Sequence, residues 1–261
     1  MKQDANALAA RSGLSLAPAA CPIVELRRYT LHPGQRDVLI DVFERHLIES
    51  QNEVGMEVLA HYRDLDDPDA FVWFRGFADM ASRGKSLPAF YCDGEAWHTH
   101  RAVANATMID SDDVLLLREA LPGSGFGAAT QPRAPVGAQA MPSALAIVTT
   151  YSFAAPVDEA FLDFFDLTIA PAARLAGAKV LAAYAAEHSA NNFPRLPVRE
   201  GENVFVWVAG FGSQAEFERH QRALADSPHW RDEVQPKLSQ WLSGPPAVRR
   251  LVPAARSLVR D

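Results

Sequence analysis

Long apolar runs, abundant cysteine and an excess of basic residues are all missing from this sequence, and each absence excludes a class of protein. No apolar stretch approaches the roughly 20 residues that a membrane-spanning helix needs. The two cysteines, Cys21 and Cys92, are too few for a disulfide framework or a four-cysteine metal site. The formal net charge of −7 opposes binding to nucleic acid or to an anionic membrane surface. We therefore predict a cytoplasmic protein that binds neither.

What is present is the composition of a globular protein, with 48% hydrophobic and 22% charged residues. The amino-terminal segment, 1–21, is the exception. Asp4 and Arg11 interrupt any apolar core that a signal peptide would need. We predict a flexible tail there.

The rest of the chain contains an internal repeat. Tyr29 and Tyr151 match at an offset of 122 residues (151 − 29), and the aromatic segment 71–77 returns at 205–211 with an offset of 134 (205 − 71). The second copy therefore carries 12 additional residues (134 − 122) between these points. A repeat of this length is a small domain rather than a solenoid unit. We predict domains over 22–119 and 144–255, joined by a Gly-, Pro- and Ala-rich linker over 120–143.

Each copy shows the pattern strand, helix, strand, strand, helix, strand. In the first copy, alternating or β-branched segments predict strands over 23–30, 56–63, 71–77 and 114–118, with helical periodicity over 37–50 and 78–108. This order is that of the ferredoxin-like unit. Helices cover one face of such a sheet, so its other face needs a partner. We predict an α+β fold in which tandem ferredoxin-like units form a dimeric α/β-barrel-type arrangement, and a homo-oligomer of such chains.

The first copy resembles the NIPSNAP family. The resemblance is carried by Val24-Glu25-Leu26-Arg27-Arg28-Tyr29-Thr30-Leu31, by the acidic turn 63–68, by Phe71-Val72-Trp73 and by the segment 105–112. The second copy keeps the aromatic strand and loses the acidic turn. The resemblance implies a ferredoxin-like barrel but no common reaction. Proteins with the same barrel include cofactor-independent monooxygenases acting on phenols and haem-degrading enzymes, which is an analogy of fold alone.

The two copies differ most in their polar strand residues. The first copy carries four such side chains, Glu25, Arg27, His61 and Arg75, where the second has Ile147, Thr149, Ala183 and Ala209. Buried guanidinium groups need partners, because an unpaired buried charge costs several kcal/mol. In one interpretation Glu25 neutralises them and the cluster holds two sheets in register. In the other, Arg27 and Arg75 flank a pocket for an anionic or enolic ligand, together with Tyr29 and Trp73.

The histidines offer few ligands for a metal. His98 and His100 are two residues apart, which places them on different sides of a helix. We expect no metal site and no cofactor, although one axial histidine would suffice for haem. His61 and His98 are the candidate proton-transfer residues.

Two functions remain open from sequence. The first is a monooxygenase-type enzyme whose small-molecule ligand, a phenol, an enol or another anionic compound, lies beside the arginines. The second is a non-catalytic ligand-binding or scaffold protein, with haem as one conceivable ligand. An open cavity against the Trp73 strand that contains a histidine within hydrogen-bonding reach favours the enzyme. A sheet interface filled by side chains favours the scaffold.

Overall fold

The computed structural model describes residues 21–129 and 131–260. The predicted tail, 1–21, lies outside the described residues except for Cys21. Within the described part, the chain is an α+β protein whose eight strands close into one antiparallel barrel.

The first half contributes four strands and the helices between them. Its strands are β1 (Ile23–Leu31), β2 (Glu57–Asp64), β3 (Ala70–Phe77) and β4 (Met108–Glu119). Between β1 and β2 lie α1 (Arg36–Val42), a π-helical segment (Phe43–Leu47) and α2 (Ile48–Glu53). Between β3 and β4 lie α3 (Met80–Tyr91) and α4 (Glu95–Ala106).

The second half repeats this order. Its strands are β5 (Leu145–Ser152), β6 (Lys179–Ala186), β7 (Val204–Phe211) and β8 (Ala247–Pro253). Its helices are α5 (Glu159–Phe164), a π-helical segment (Phe165–Ile169), α6 (Ala170–Leu175), α7 (Gln214–Asp226), a third π-helical segment (Trp230–Val234) and α8 (Gln235–Ser239). The π-helical segments Phe43–Leu47 and Phe165–Ile169 match at the offset of 122 residues, so this irregularity belongs to the repeated unit.

The strands follow one another around the barrel in the order β1, β3, β2, β8, β5, β7, β6, β4. The halves meet where β2 pairs with β8 and where β4 pairs with β6. Alternate residues of the strands point inward and form one apolar core that both halves supply, including Leu26, Phe74, Val148 and Val208. Each half's sheet thus covers the inner face of the other.

The outward face of each sheet is covered by that half's helices, with a separate core between them. In the first half this core contains Phe43, Leu87 and Phe90 from the helical layer and Trp73 from β3. The second half has the corresponding core around Phe161, Phe165 and Trp207. Among the described residues, no helix is both long enough and apolar enough to cross a bilayer.

Two observations go beyond the predicted boundaries. Strand β4 begins at Met108 rather than Val114, because a polar run without apolar alternation pairs with the end of β1 through an irregular register.

The 12 additional residues of the second copy lie in the loop between β6 and β7, which spans 187–203. Backbone hydrogen bonds hold this loop along β4, from Glu187 N to Leu116 O at 2.9 Å and from Arg199 N to Val114 O at 2.8 Å. The loop from the second half therefore lies against the first.

Candidate functional site

Polar side chains of β1 and β3 meet on the outward, helix-covered face of the first half. Because Leu26 points into the barrel, Glu25, Arg27 and Tyr29 point away from it, toward α3 and the π-helical segment. Register pairs Glu25 with Arg75 on the neighbouring strand. The cluster thus lies between sheet and helices, not between two sheets.

Four fully buried charged residues form this cluster, and Glu25 is at its centre. Its Oε2 accepts from Arg27 Nη1 at 2.7 Å and from Arg75 Nε at 2.9 Å, and its Oε1 accepts from Arg83 Nε at 2.7 Å. Arg75 Nη2 also lies 2.7 Å from Oε2, although without the alignment of a hydrogen bond. Three guanidinium groups therefore share one carboxylate, which leaves two positive charges in excess. We name these four residues the arginine cluster.

Two tyrosine hydroxyls accept the shorter hydrogen bonds of the cluster on the cavity side, beside longer ones to Ser111 O at 3.4 Å and Gln51 Oε1 at 3.3 Å. Arg27 Nε donates to Tyr29 Oη at 2.9 Å, and Arg75 Nη1 donates to Tyr91 Oη at 2.9 Å. Neither hydroxyl donates to another group in the described part of the chain. Each oxygen already accepts from a cation, so each O–H is left to donate elsewhere. Tyr29 and Tyr91 thus offer two phenolic O–H donors, and each hydroxyl oxygen accepts a hydrogen bond from a positively charged guanidinium group.

The ionisation of these groups follows from burial and charge. Burial alone would raise the pKa of Glu25, but Arg75, Arg27 and Arg83 hold that pKa well below its usual range. Burial is also the main reason that the pKa of the Tyr29 hydroxyl is raised, against the opposing effect of Arg27. At neutral pH Glu25 is therefore ionised, and Tyr29 keeps its proton.

A cavity of about 270 Å³ lies next to these tyrosines, between the sheet and the helical layer. Aromatic side chains from several elements dominate its wall, and the lining residues include Tyr29, Phe43, Trp73, Phe90, Tyr91, Trp97 and Phe193. Polar groups are few: Gln51, Arg101, Asn105, Ser111 and Arg195. An apolar concave site with a few convergent polar groups is the usual form of a small-molecule pocket.

The loop of the second half, 187–203, forms part of the cavity wall, and the arginine cluster anchors it. Arg83 Nη1 donates to Asn191 Oδ1 at 3.1 Å and to Asn192 Oδ1 at 2.5 Å, while Asn192 Nδ2 donates to Met80 O at 2.5 Å. Next in sequence, Phe193 stacks on Tyr91 with ring centroids 6.2 Å apart. Arg83 thus bonds Glu25 on one side and this loop on the other.

The second half has the same framework without the charges. Where the first half carries Glu25, Arg27, Arg75 and Arg83, matching positions hold Ile147, Thr149, Ala209 and Phe217. The N-caps Asp79 and Ser213 fix the last match at an offset of 134. The matching side chains also differ in size. Leu39, which lines the cavity, matches Phe161, whose ring centroid lies 5.2 Å from that of Phe205. The fold therefore does not itself require buried charge at these positions.

The structure brings five of the seven predicted site residues together. Tyr29 and Trp73 line the cavity, and Glu25, Arg27 and Arg75 lie directly behind them. Arg75 contacts the cavity wall through Trp73, with its Cζ 5.3 Å from the ring centroid. Whether these residues bind a ligand remains a prediction.

The two predicted proton-transfer residues are outside the cavity lining. His61 is fully buried, and its Nε2 lies 2.8 Å from Glu44 Oε1, which also accepts from the backbone N–H of Arg256. Burial lowers the pKa of His61 despite Glu44, and hydrogen bonds from His61 and Arg256 lower the pKa of Glu44 against the effect of burial. We therefore assign a neutral imidazole that donates from Nε2 to a carboxylate. His98 is exposed, with its Nε2 2.7 Å from Cys92 O near the end of α3.

The residues that line this cavity offer few ligands for haem iron or for a metal ion. None of the described residues around the cavity is a histidine, so the imidazole ligand that haem iron commonly takes is missing there. Across residues 21–129 and 131–260, no group of three or more His, Cys, Asp or Glu side chains could hold a metal ion. We derive no chemistry through either group.

Several residues of the site were not identified from sequence. Arg83 lies on α3, where helical periodicity gives no sign that its side chain turns inward, yet its match to Phe217 marks a difference between the halves. Tyr91 has no such signal. The loop residues Asn191 and Asn192 fall in the 12-residue insertion, which was visible as a length difference but had no predicted position.

Comparisons with known proteins show the fold. No family model and no curated protein matches this chain. It is similar to the solved structure of an anthrone oxidase-like protein, with 12% identity and a TM-score of 0.57, over 94% of this chain and 98% of that one. It is also similar to a candidate monooxygenase from Fusobacterium nucleatum, with 11% identity and a TM-score of 0.56, over 90% and 93% of the two chains. At these identities the similarity establishes a shared architecture and no activity.

The NIPSNAP resemblance has a weaker structural counterpart. A NIPSNAP domain protein from Burkholderia xenovorans matches 45% of this chain and 99% of its own, with 19% identity and a TM-score of 0.35. A TM-score this low carries no argument, so membership of that family stays a prediction. The chain is an α+β barrel protein of the architecture that monooxygenase-like proteins share.

Proposed function

We propose that the cavity of the first half binds a flat, weakly acidic phenol or enol and promotes its oxidation by dioxygen. In this proposal the chain consists of two ferredoxin-like halves, of which only the first has a functional site. The observation that carries it is the arginine cluster, which places two excess positive charges behind Tyr29 and Tyr91. The second half has no such cluster among its matching residues.

The proposed role of the tyrosines is to stabilise negative charge on the ligand. A phenol or enol oxygen that accepts from both hydroxyls would gain acidity, because the arginines behind them favour the anion. A flat ligand packed against the aromatic wall would displace water from the tyrosines, which would strengthen this effect. An electron-rich enolate is the form that reacts with dioxygen. In the overall reaction a CH₂ group becomes a carbonyl, with one oxygen atom entering the product and the other leaving as water with the two hydrogens.

The second candidate is a ligand-binding protein without catalysis. One observation favours it: among the described lining residues there is neither a carboxylate nor a histidine that could accept a proton from the ligand. In the enzymatic reading the proton therefore passes to water at the mouth of the cavity, or the ligand enters already ionised. The two candidates share the same binding site and differ only in turnover.

Anthrone tests both candidates, with oxygen uptake measured above the rate of its spontaneous oxidation in buffer. We expect the wild-type protein to consume one dioxygen per anthrone, and the Tyr29→Phe/Tyr91→Phe variant to lose most of this rate. Tyr151→Phe is the matched control, because Tyr151 is the buried counterpart of Tyr29 in the half without the charges. Binding seen by tryptophan fluorescence without oxygen uptake would select the second candidate. Absence of both binding and uptake would refute the proposed ligand class.

A further inference from the structure

Two arginines line the same cavity away from the arginine cluster, and both are exposed to solvent. Arg101 projects from α4, and Arg195 belongs to the loop 187–203. No carboxylate lines the cavity among the described residues, so nothing there offsets their charge. Positive charge therefore lies in two places: behind the tyrosines in the buried cluster, and at the two exposed arginines of the lining.

Neither guanidinium is paired with a carboxylate among the described residues. Arg101 makes no hydrogen bond or ion pair with any other described residue, and Arg195 donates only to Cys92 Sγ at 3.0 Å. Some exposed arginines are paired, such as Arg199, 2.7 Å from Glu202, while Arg174 and Arg222 have no such partner among the described residues. What distinguishes Arg101 and Arg195 is that they line the cavity. In a chain with a net charge of −7, acidic partners are plentiful. The two lining arginines thus keep their donors free beside the cavity.

The second half again serves as an internal reference. Trp97 and Trp230 match at an offset of 133, which aligns Arg101 with Val234 and Asn105 with Leu238. Val234 and Leu238 are buried in the core of the second half. The matching helical face is therefore apolar in the second half, where it packs into the core, and polar in the first half, where it lines the cavity. Arg195 lies in the insertion that only this loop carries.

We infer that Arg101 and Arg195 form a subsite for a carboxylate on the ligand, so that the substrate class is aromatic acids. This inference rests on the proposed function, because the phenol or enol of the same molecule would occupy the inner end beside Tyr29. The ring system between the two ends packs against Trp73 and Trp97. Planar guanidinium groups bind a carboxylate through paired hydrogen bonds, a geometry that a neutral substituent cannot match.

A pair of probes that differ only in charge tests the subsite. The dissociation constants of 9-anthracenecarboxylate and of the neutral 9-anthracenemethanol are measured by calorimetry at low salt. For the wild-type protein we expect the carboxylate to bind on the order of tenfold more tightly than the alcohol. Arg101→Gln/Arg195→Gln should remove this preference, because it weakens binding of the carboxylate by more than it changes binding of the alcohol. Arg222→Gln, at an exposed arginine of α7 on the other half, is the control and should keep the preference.

Two outcomes would overturn the inference. One is equal affinity of the wild-type protein for both probes, and the other is a preference that survives in the Arg101→Gln/Arg195→Gln variant. If neither probe binds, the aromatic-acid class is also refuted. Anthrone has no carboxylate, so its binding and oxidation test the proposed function separately from the subsite.

Discussion

Removing the carboxylate at the centre of the arginine cluster should destabilise the protein more than removing the whole cluster. Glu25→Gln keeps the shape of the side chain but leaves three buried guanidinium groups without an anion. Loss of one partner from a buried ion pair costs about 3–5 kcal/mol. A domain is stable by only about 5–15 kcal/mol, so this variant should still fold but unfold much more readily.

The matched variant copies the second half at four positions: Glu25→Ile, Arg27→Thr, Arg75→Ala and Arg83→Phe. Replacing a buried ion cluster by apolar residues is often neutral, because the cost of burying the charges disappears with them. The smaller side chains leave some empty volume, which costs free energy in turn. We expect this graft to lie between the wild type and Glu25→Gln in stability.

Urea unfolding followed by circular dichroism and tryptophan fluorescence measures the difference. For Glu25→Gln the midpoint should fall by about 1–2 M relative to wild type. Coincidence of the two signals checks that the transition is two-state. A Glu25→Gln variant within 1 kcal/mol of wild type, or a graft less stable than Glu25→Gln, would refute the electrostatic account of the cluster.

Three further predictions concern the surroundings of the cluster. Arg75→Ala should stay folded, because Glu25 keeps two other arginines, yet bind anthrone on the order of tenfold more weakly in a fluorescence titration; unfolding would instead make the cluster structural. Gly84→Ala should raise the dissociation constant for anthrone, because a Cβ there would lie 2.8 Å from the loop residue Asn192, whereas Gly244→Ala, which meets nothing within 4 Å, should not. His61→Gln should reduce the pH dependence of the unfolding free energy. Because the pKa of His61 is lowered in the folded protein, the unfolded chain takes up this proton at a higher pH than the folded protein does. Wild-type stability therefore falls as the pH drops below about 6.5. A wild-type unfolding free energy that does not change between pH 7.5 and pH 5.5 would contradict this last expectation.

Much of the fold was predictable from sequence because the same order of strands and helices occurs in both copies of the repeat. Strand β3 is predicted to within one residue, and the returning aromatic segment 205–211 lies within one residue of the bounds of β7. The start of β4 was not predictable, since Asp110, Ser111 and Asp112 have neither apolar alternation nor strand propensity. Pairing with β1 alone makes that segment a strand. The comparisons confirm the α+β barrel class.

The site was predictable only where the two halves can be compared strand by strand. Glu25, Arg27 and Arg75 stand out against Ile147, Thr149 and Ala209, and period-two alternation places them on one face. Whether that face points into the barrel or toward the helices depends on how the barrel closes. Tertiary contacts also bring in the loop 187–203 and Arg83, which local patterns cannot position. For the same reason local patterns cannot show that the imidazole of His61 contacts Glu44.

Anthrone binding by the wild-type protein and by the four-residue graft decides whether the arginine cluster supports a binding site. Both are titrated by tryptophan fluorescence under conditions where both are folded. We expect saturable binding by the wild type and none by the graft, because the graft removes the positive charge behind Tyr29 and Tyr91 but keeps the barrel. Equal affinity of the two proteins would show that the arginine cluster has no part in binding.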